Sequence, residues 1–288
     1  MRANRVGRTV MRVLSSPGAL VAALFLTLLV ATALAAGVLA PGGPLEQDLS
    51  ATLEPPSAEH LFGTDEFGRD ILVRVIYGAR SSLLTAAGAV AIAALAGVPI
   101  GLVAGFFGGW RDAVLMRAID VLLSLPAILL AMALIAVLGR SQAAALLAVG
   151  ITGIPSFARV TRAQTLSLRT RDFVVAVEAF GGSATHAMFR SVLPNAWSPI
   201  LVQIVVLSSV AILLEAALAF LGVGIPPPAP SWGEMLRTGK TYLYEAPTYA
   251  ILPGLVLTFT ILALDTIGRA LATTLDAPSV PQIERRPA

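Results

Sequence analysis

Six stretches of this chain, each roughly 20 residues or longer, contain no charged side chain, and they constrain the fold more than any motif does. They run between Arg12 and Glu46, Arg80 and Arg111, Asp120 and Arg140, Arg140 and Arg159, Arg190 and Glu215, and Glu245 and Asp265. A helix needs about 20 mostly apolar residues to cross the hydrocarbon of a bilayer. The pattern therefore predicts an all-α polytopic membrane protein with six transmembrane helices, near 18–40, 82–106, 119–139, 142–160, 199–222 and 249–271. Gly139-Arg140-Ser141 is too short to be anything but a tight turn, so the third and fourth spans form a hairpin.

Composition agrees. Of 288 residues, 56% are hydrophobic and 13% charged, and the mean hydropathy is +0.82. A water-soluble domain must cover itself with more charge than that. Soluble enzymes, disordered tails and nucleic-acid binders are thereby excluded, and the bilayer itself becomes the first partner. There is no cysteine, so disulfides, thiolate metal sites and a cysteine nucleophile are excluded as well. The first apolar stretch follows Arg2, Arg5, Arg8 and Arg12 but exceeds the length of a signal-peptide core, which predicts a retained span.

Lys and Arg collect on the cytoplasmic side of membrane proteins. With six spans and both termini inside, 14 of the 20 basic residues fall in the cytoplasm and 6 outside. The first external loop also holds Glu46, Asp48, Glu54, Glu59, Asp65, Glu66 and Asp70. Both termini are expected in the cytoplasm.

Two connections are long enough to carry structure of their own, external 41–80 and cytoplasmic 159–198. In the second, Asp172 can cap a helix on which Phe173, Val174, Val177 and Phe180 share a face. Gly181-Gly182 ends that helix, Ser183 can cap a second, and Leu193-Pro194-Asn195 is expected to stop it before the fifth span. An apolar face at the membrane surface packs beneath its own chain, lies in the lipid interface, or enters a groove on a partner. Spacing alone leaves these open.

The segment 172–195, DFVVAVEAFGGSATHAMFRSVLPN, resembles the Glu-Ala-Ala loop of ABC-importer permeases. Ala176, Gly181, Leu193 and Pro194 match that pattern, while Val175 and Val177 replace its glutamate and second alanine, and Glu178 lies one turn further on. His60-Leu61-Phe62 followed by the GTDEFGRD motif, Tyr77-Gly78-Ala79-Arg80, Met116-Arg117 with Asp120 and Pro126, Ala158-Arg159 with Arg162, Glu215-Ala216 with Phe220-Leu221-Gly222, and Pro230-Ser231-Trp232-Gly233 follow in order. Together they are similar to the C-type, or second, permease subunit of the dipeptide/oligopeptide/nickel family. Arg269 stands where that family usually has Asp.

The resemblance implies a type I importer core of five helices with one extra N-terminal span. It divides the chain into 1–62 (tail, first span and start of the external loop), 63–79 (external linker), 80–272 (permease core with coupling segment 159–198) and 273–288 (cytoplasmic tail). It implies a bacterial inner-membrane protein moving di- or oligopeptides, with nickel chelates or haem as alternative cargo. Its implied partners are a homologous B-type permease, two ABC ATPases or one fused pair, and an extracytoplasmic solute-binding protein. ATP and Mg would be bound by those ATPases, with no cofactor, metal or catalytic residue in this chain. The coupling segment it implies comprises Asp172, Phe173, Ala176, Val177, Glu178, Ala179, Phe180, Gly181, Leu193 and Pro194.

Two acids inside spans, Glu215 and Asp265, are candidates for a translocation-path or gating role, since intramembrane charge normally faces a cavity or a polar partner. As proton carriers they would instead suit an ion-coupled secondary transporter. Gly233 to Gly239-Lys240-Thr241 superficially resembles a phosphate loop, but its glycines are one residue too far apart. His60 and His186 fall on opposite sides of the membrane and cannot share a metal.

Overall fold

The computed structural model describes residues 15–276. The terminal arginines counted in the charge bias (Arg2, Arg5, Arg8, Arg12, Arg285 and Arg286) lie outside the described residues. Among those described, the regular structure is helical apart from an isolated bridge between Thr64 and Asp70. The main helices are α1 (Pro17–Leu34), α2 (Ile71–Phe107), α3 (Gly109–Leu123), α4 (Ala127–Leu138), α5 (Gln142–Leu168), α6 (Asp172–Ala179), α7 (Leu193–Phe220), α8 (Trp232–Gly239) and α9 (Thr248–Asp276). Among the described residues, five stretches are long and apolar enough to cross a membrane, and α3 with α4 makes a sixth if the bent pair counts as one span.

That bend corrects the straight third span expected at 119–139. The two halves meet at 88°. Pro126 disfavours helical backbone at the residue before it and has no N–H to give, so Ser124-Leu125 leave the helix. The Ser124 hydroxyl donates to Val121 O at 2.7 Å, satisfying a carbonyl that the break exposes. The 139–141 turn is as expected: Gly139 takes φ +82° and Ser141 caps α5 by accepting from Ala144 N.

The second span starts inside the segment read as an external linker. Asp70 caps it, accepting from Val73 N at 2.9 Å, and the helix then runs 37 residues without a break. At about 1.5 Å per residue it is about 55 Å long and protrudes from the bilayer. It ends at Gly108 and Gly109, with φ of +64° and +56°, a pair of left-handed positions that only glycine occupies cheaply.

Small residues hold the bundle together. Ala89, Ala93, Gly97, Gly101 and Gly105 recur every fourth residue on α2, placing them on one face. A Cβ at Gly101 would lie 2.3 Å from Ala158 O, and one at Gly97 2.6 Å from Ile154 O on α5. In lipid the hydrophobic effect does not drive helices together, so backbone approach of this kind supplies the packing. α1 packs against α9 and α2, with Phe25 edge-on to Phe259.

The residues of the 41–70 and 223–248 connections form a cap over one end of the bundle. Trp232 is fully buried, donates from Nε1 to Val75 O at 3.1 Å, and fills the space left by Gly78. Thr248 at the start of α9 donates to Phe62 O at 2.6 Å, tying the cap to the last span. The glycines of the phosphate-loop lookalike are packing positions: Gly233 lies against Ala216, and Gly239 against Tyr249.

Candidate functional site

At the opposite end, the residues between α5 and α7 make a finger. α5 continues to Leu168 and α7 begins at Leu193, so the finger proper is 169–192, shorter than the 159–198 connection. Asp172 is the first residue of α6 rather than its cap; Arg171 O accepts from both Val174 N and Val175 N. Gly181 ends α6 with φ +82°, and Gly182 N donates back to Val177 O at 2.8 Å. This is the glycine-terminated stop expected of a helix that must turn sharply. Ser183 caps the next turn by accepting from His186 N.

The four apolar residues expected on one face are divided. Val174 is 1% exposed and packs with Leu102, Ala187, Met188 and Val192, with Val177 partly buried against the same group. Phe173 is 45% and Phe180 92% exposed, and Val175 is exposed too. α6 therefore has a heel seated on its own chain and an apolar toe directed outward. Beside the toe a shallow hollow of about 400 Å³ is lined by Ala176, Val177, Phe180, Gly182, Ser183 and His186. The side chain of Glu178 lies outside the described set.

Leu193-Pro194 does not stop the second helix. The chain runs as one helical rod from Ala184 to Phe220, passing through a π-helical turn at Ala187–Val192. Leu193 N donates to Met188 O, five residues back, which is the wider spacing of a π turn. Pro194 has no N–H to continue the ladder, and the Asn195 side chain beside it donates to Ser191 O at 2.6 Å. The finger is thus continuous with a membrane span. It also rests on the end of α2 through Leu102, Val103 and Phe106, and on α5 through Leu168. α6 is thereby seated against the ends of three spans.

The two intramembrane acids are not brought together. Glu215 is 1% exposed and lies less than two turns from the Phe220 end of α7. The Ser82 and Ser231 hydroxyls face it, neither completing a hydrogen bond in this conformation. Asp265 pairs with Arg269 on its own helix and both are solvent- or lipid-accessible in the single chain. Sequence reasoning missed the contact of Arg169 at the finger's root with the end of α2 and a buried ion cluster around Arg74 in the cap. The density of acids and arginines in Asp65-Glu66-Phe67-Gly68-Arg69-Asp70 was the available signal, since so many charges beside a membrane need partners.

The fold is that of a polytopic membrane protein with a half-buried finger between two of its spans. Residues 97–277 match the family described as binding-protein-dependent transport system inner membrane component. Residues 6–56 match the N-terminal transmembrane domain of oligopeptide transport permease C. The chain is 40% identical over 258 residues to the dipeptide transport system permease protein DppC of Alkalihalophilus pseudofirmus, covering 90% of this chain and 85% of that one. It is 41% identical over 265 residues to the di/tripeptide transport system permease protein DppC of Pseudomonas aeruginosa, with 90% and 88% covered. The glutathione transport system permease protein GsiD of Pectobacterium atrosepticum is 38% identical over 259 residues, with 90% and 86% covered. Among solved structures, the MetNI methionine ABC transporter in inward-facing conformations matches with TM-score 0.54 at 18% identity, covering 70% of this chain and 96% of that one. That match extends to the fold alone.

The chain belongs to the family of binding-protein-dependent transport system inner membrane components. Within it, the C-type permease reading made from the sequence stands. It is a multi-pass permease subunit of an ABC importer.

Proposed function

We propose that this permease carries di- or oligopeptides inward, and that α6 takes up the motion of a partner ATPase. The peptide cargo is supported by the relatives named for dipeptide, di/tripeptide and glutathione transport. The partners are a homologous B-type permease, two ABC ATPases or a fused pair that bind ATP and Mg, and a solute-binding protein on the far side. Both termini and the finger face the cytoplasm, as the Lys and Arg distribution favours.

The observation that carries the reading is the division of α6. Its heel, Val174 and Val177, is held by the ends of the spans, while Phe180 and Phe173 are left for another surface. An exposed Phe pair on a short helix suits insertion into a groove. Nucleotide binding would draw the partner grooves together and carry the fingers with them. Because the finger is continuous with α7 and seated on α2 and α5, its displacement would tilt these spans and open the cavity outward. The work would come from unequal docking in the two states, with no bond chemistry in this chain.

The test is the double change Phe173→Asp and Phe180→Asp, set beside Val174→Asp. Both phenylalanines are exposed, so the first variant should insert and fold normally yet lose stimulation of ATP hydrolysis by cargo-loaded binding protein. Val174→Asp should cost about 2–4 kcal/mol locally by burying a charge, and expose the finger to protease. Full stimulation in the phenylalanine double variant would remove the docking role.

A further inference from the structure

The external cap contains a buried ion cluster that the coupling reading does not use. Arg74, in the first turn of α2, is 2% exposed. Its Nε lies 3.2 Å from Asp65 Oδ2 and its Nη2 3.6 Å from Glu234 Oε2 on α8, and Nη1 donates to Pro44 O. Asp65 also receives Arg69 Nε at 2.6 Å, and Glu234 receives Thr238 Oγ1 at 2.9 Å and Arg237 Nη2 at 3.4 Å. With Glu66 bonded to Arg69, three carboxylates face three guanidiniums.

The cluster is balanced in charge but unfinished in geometry. Arg74 Nε, Arg237 Nε, Glu66 Oε2, Glu234 Oε2 and Tyr249 OH are buried and make no hydrogen bond. Buried ions offset their desolvation only when geometry is excellent and the remaining donors and acceptors are satisfied. This arrangement is therefore poorly suited to stabilising one state and well suited to exchanging partners. Room for the exchange exists: a cleft of about 500 Å³ is lined by Glu66, Arg69, Arg74, Glu234 and Arg237, with Gln47 and Thr241 among its other walls.

Position supplies the rest. α2 runs unbroken from Arg74 to Leu102 and Phe106, which seat the finger. α8 rests through Gly233 on Ala216 of α7, and the other end of α7 is the finger itself. The two spans that meet at the finger are joined again here, α2 directly through Arg74 and α7 through α8.

We propose that the Asp65–Arg74–Glu234 cluster is an outer latch, resting on the coupling reading above. It holds α8 to α2 in the conformation described here. When the finger moves and the two spans change their angle, Arg74 passes from Glu234 to Glu66 and the cleft changes width.

The chain has no native cysteine, so Gln47→Cys with Thr241→Cys places one spin-label pair across the cleft. Residue 47 reports on the 63–70 loop because Gly68 sits against the backbone of Asp48. The labelled permease is assembled with cysteine-free partner subunits in nanodiscs, and the distance is measured without nucleotide and after trapping with ATP and vanadate. The latch requires a shift beyond the nucleotide-free width. Glu234→Gln should populate the trapped distance without nucleotide and raise ATPase activity in the absence of binding protein roughly fivefold or more. Thr238→Val, which removes one bond to Glu234, should act in the same direction more weakly, and serves if Glu234→Gln does not assemble. One distance in both states, or native ATPase activity in an assembled Glu234→Gln complex, overturns the latch. A cleft that still responds to nucleotide while the phenylalanine finger variants couple normally keeps the partner exchange at the cluster and overturns the finger as what drives it.

Discussion

Arg169 donates from Nη1 to the carbonyls of Gly105 and Phe106 at 3.2 and 3.1 Å, so the residue just after α5 closes the end of α2. The last carbonyls of a helix have no partner within it, and a cation there also meets the negative end of the helix dipole. This contact fixes the root of the finger to the span on which its heel rests.

Arg169→Ala should accordingly loosen the finger without unfolding the bundle. Arg169 is exposed, so the loss is expected at about 0.5–1 kcal/mol. In a chain of this size that lowers the unfolding midpoint by about 2–4 °C at most, read by thermal denaturation of the purified subunit in detergent. Amide exchange should rise at Phe106, Phe107 and the start of α6 before it rises elsewhere.

A second expectation concerns the α2–α5 contact. In Gly101→Ala the new Cβ would lie 2.3 Å from Ala158 O and 2.8 Å from Thr161 Cβ, both too close for any side chain. The helices must separate, at a cost of about 1–3 kcal/mol. Gly268→Ala is the matched control, since its Cβ would meet Val205 Cγ1 at an ordinary 3.5 Å. Equal melting temperatures for the two variants would show that the close approach contributes nothing.

Glu215 allows a sharper separation. Both carboxylate oxygens are buried without a hydrogen bond, while Ser82 and Ser231 face them. Glu215→Gln keeps the volume and removes any cost of burying charge, so its melting temperature should equal or exceed the native value. Peptide uptake by the assembled transporter should be retained, because the site sits beneath α8 among packing residues. A stable Glu215→Gln protein that no longer transports would return this residue to the translocation path.

Much of the fold was legible in advance because a bilayer imposes a simple rule. Charge-free runs located the spans, and Gly139, Gly181 and Ser183 marked turns through conformations and caps they favour intrinsically. Pro194 misled for a physical reason. Proline removes one helical hydrogen bond, which predicts a stop, but the preceding residues widen to a π turn and the helix runs on past it. Pro126, with no widened turn before it, breaks its helix and bends the third span.

The finger shows the same boundary. Helical spacing placed Phe173, Val174, Val177 and Phe180 within one arc of α6, and could not tell which would be covered. That was decided by where the end of α2 stands, because the apolar cluster built on Leu102 and Phe106 takes in Val174 and Val177 and neither Phe173 nor Phe180. Arg74 and Glu234 are 160 residues apart in the chain, and no local pattern links them. Composition and charge spacing by themselves determined a six-span membrane protein, since the bilayer's penalty on charge acts residue by residue. Which apolar residues stay uncovered, and which buried ions meet, only the tertiary structure decided, because both depend on side chains that folding alone brings together.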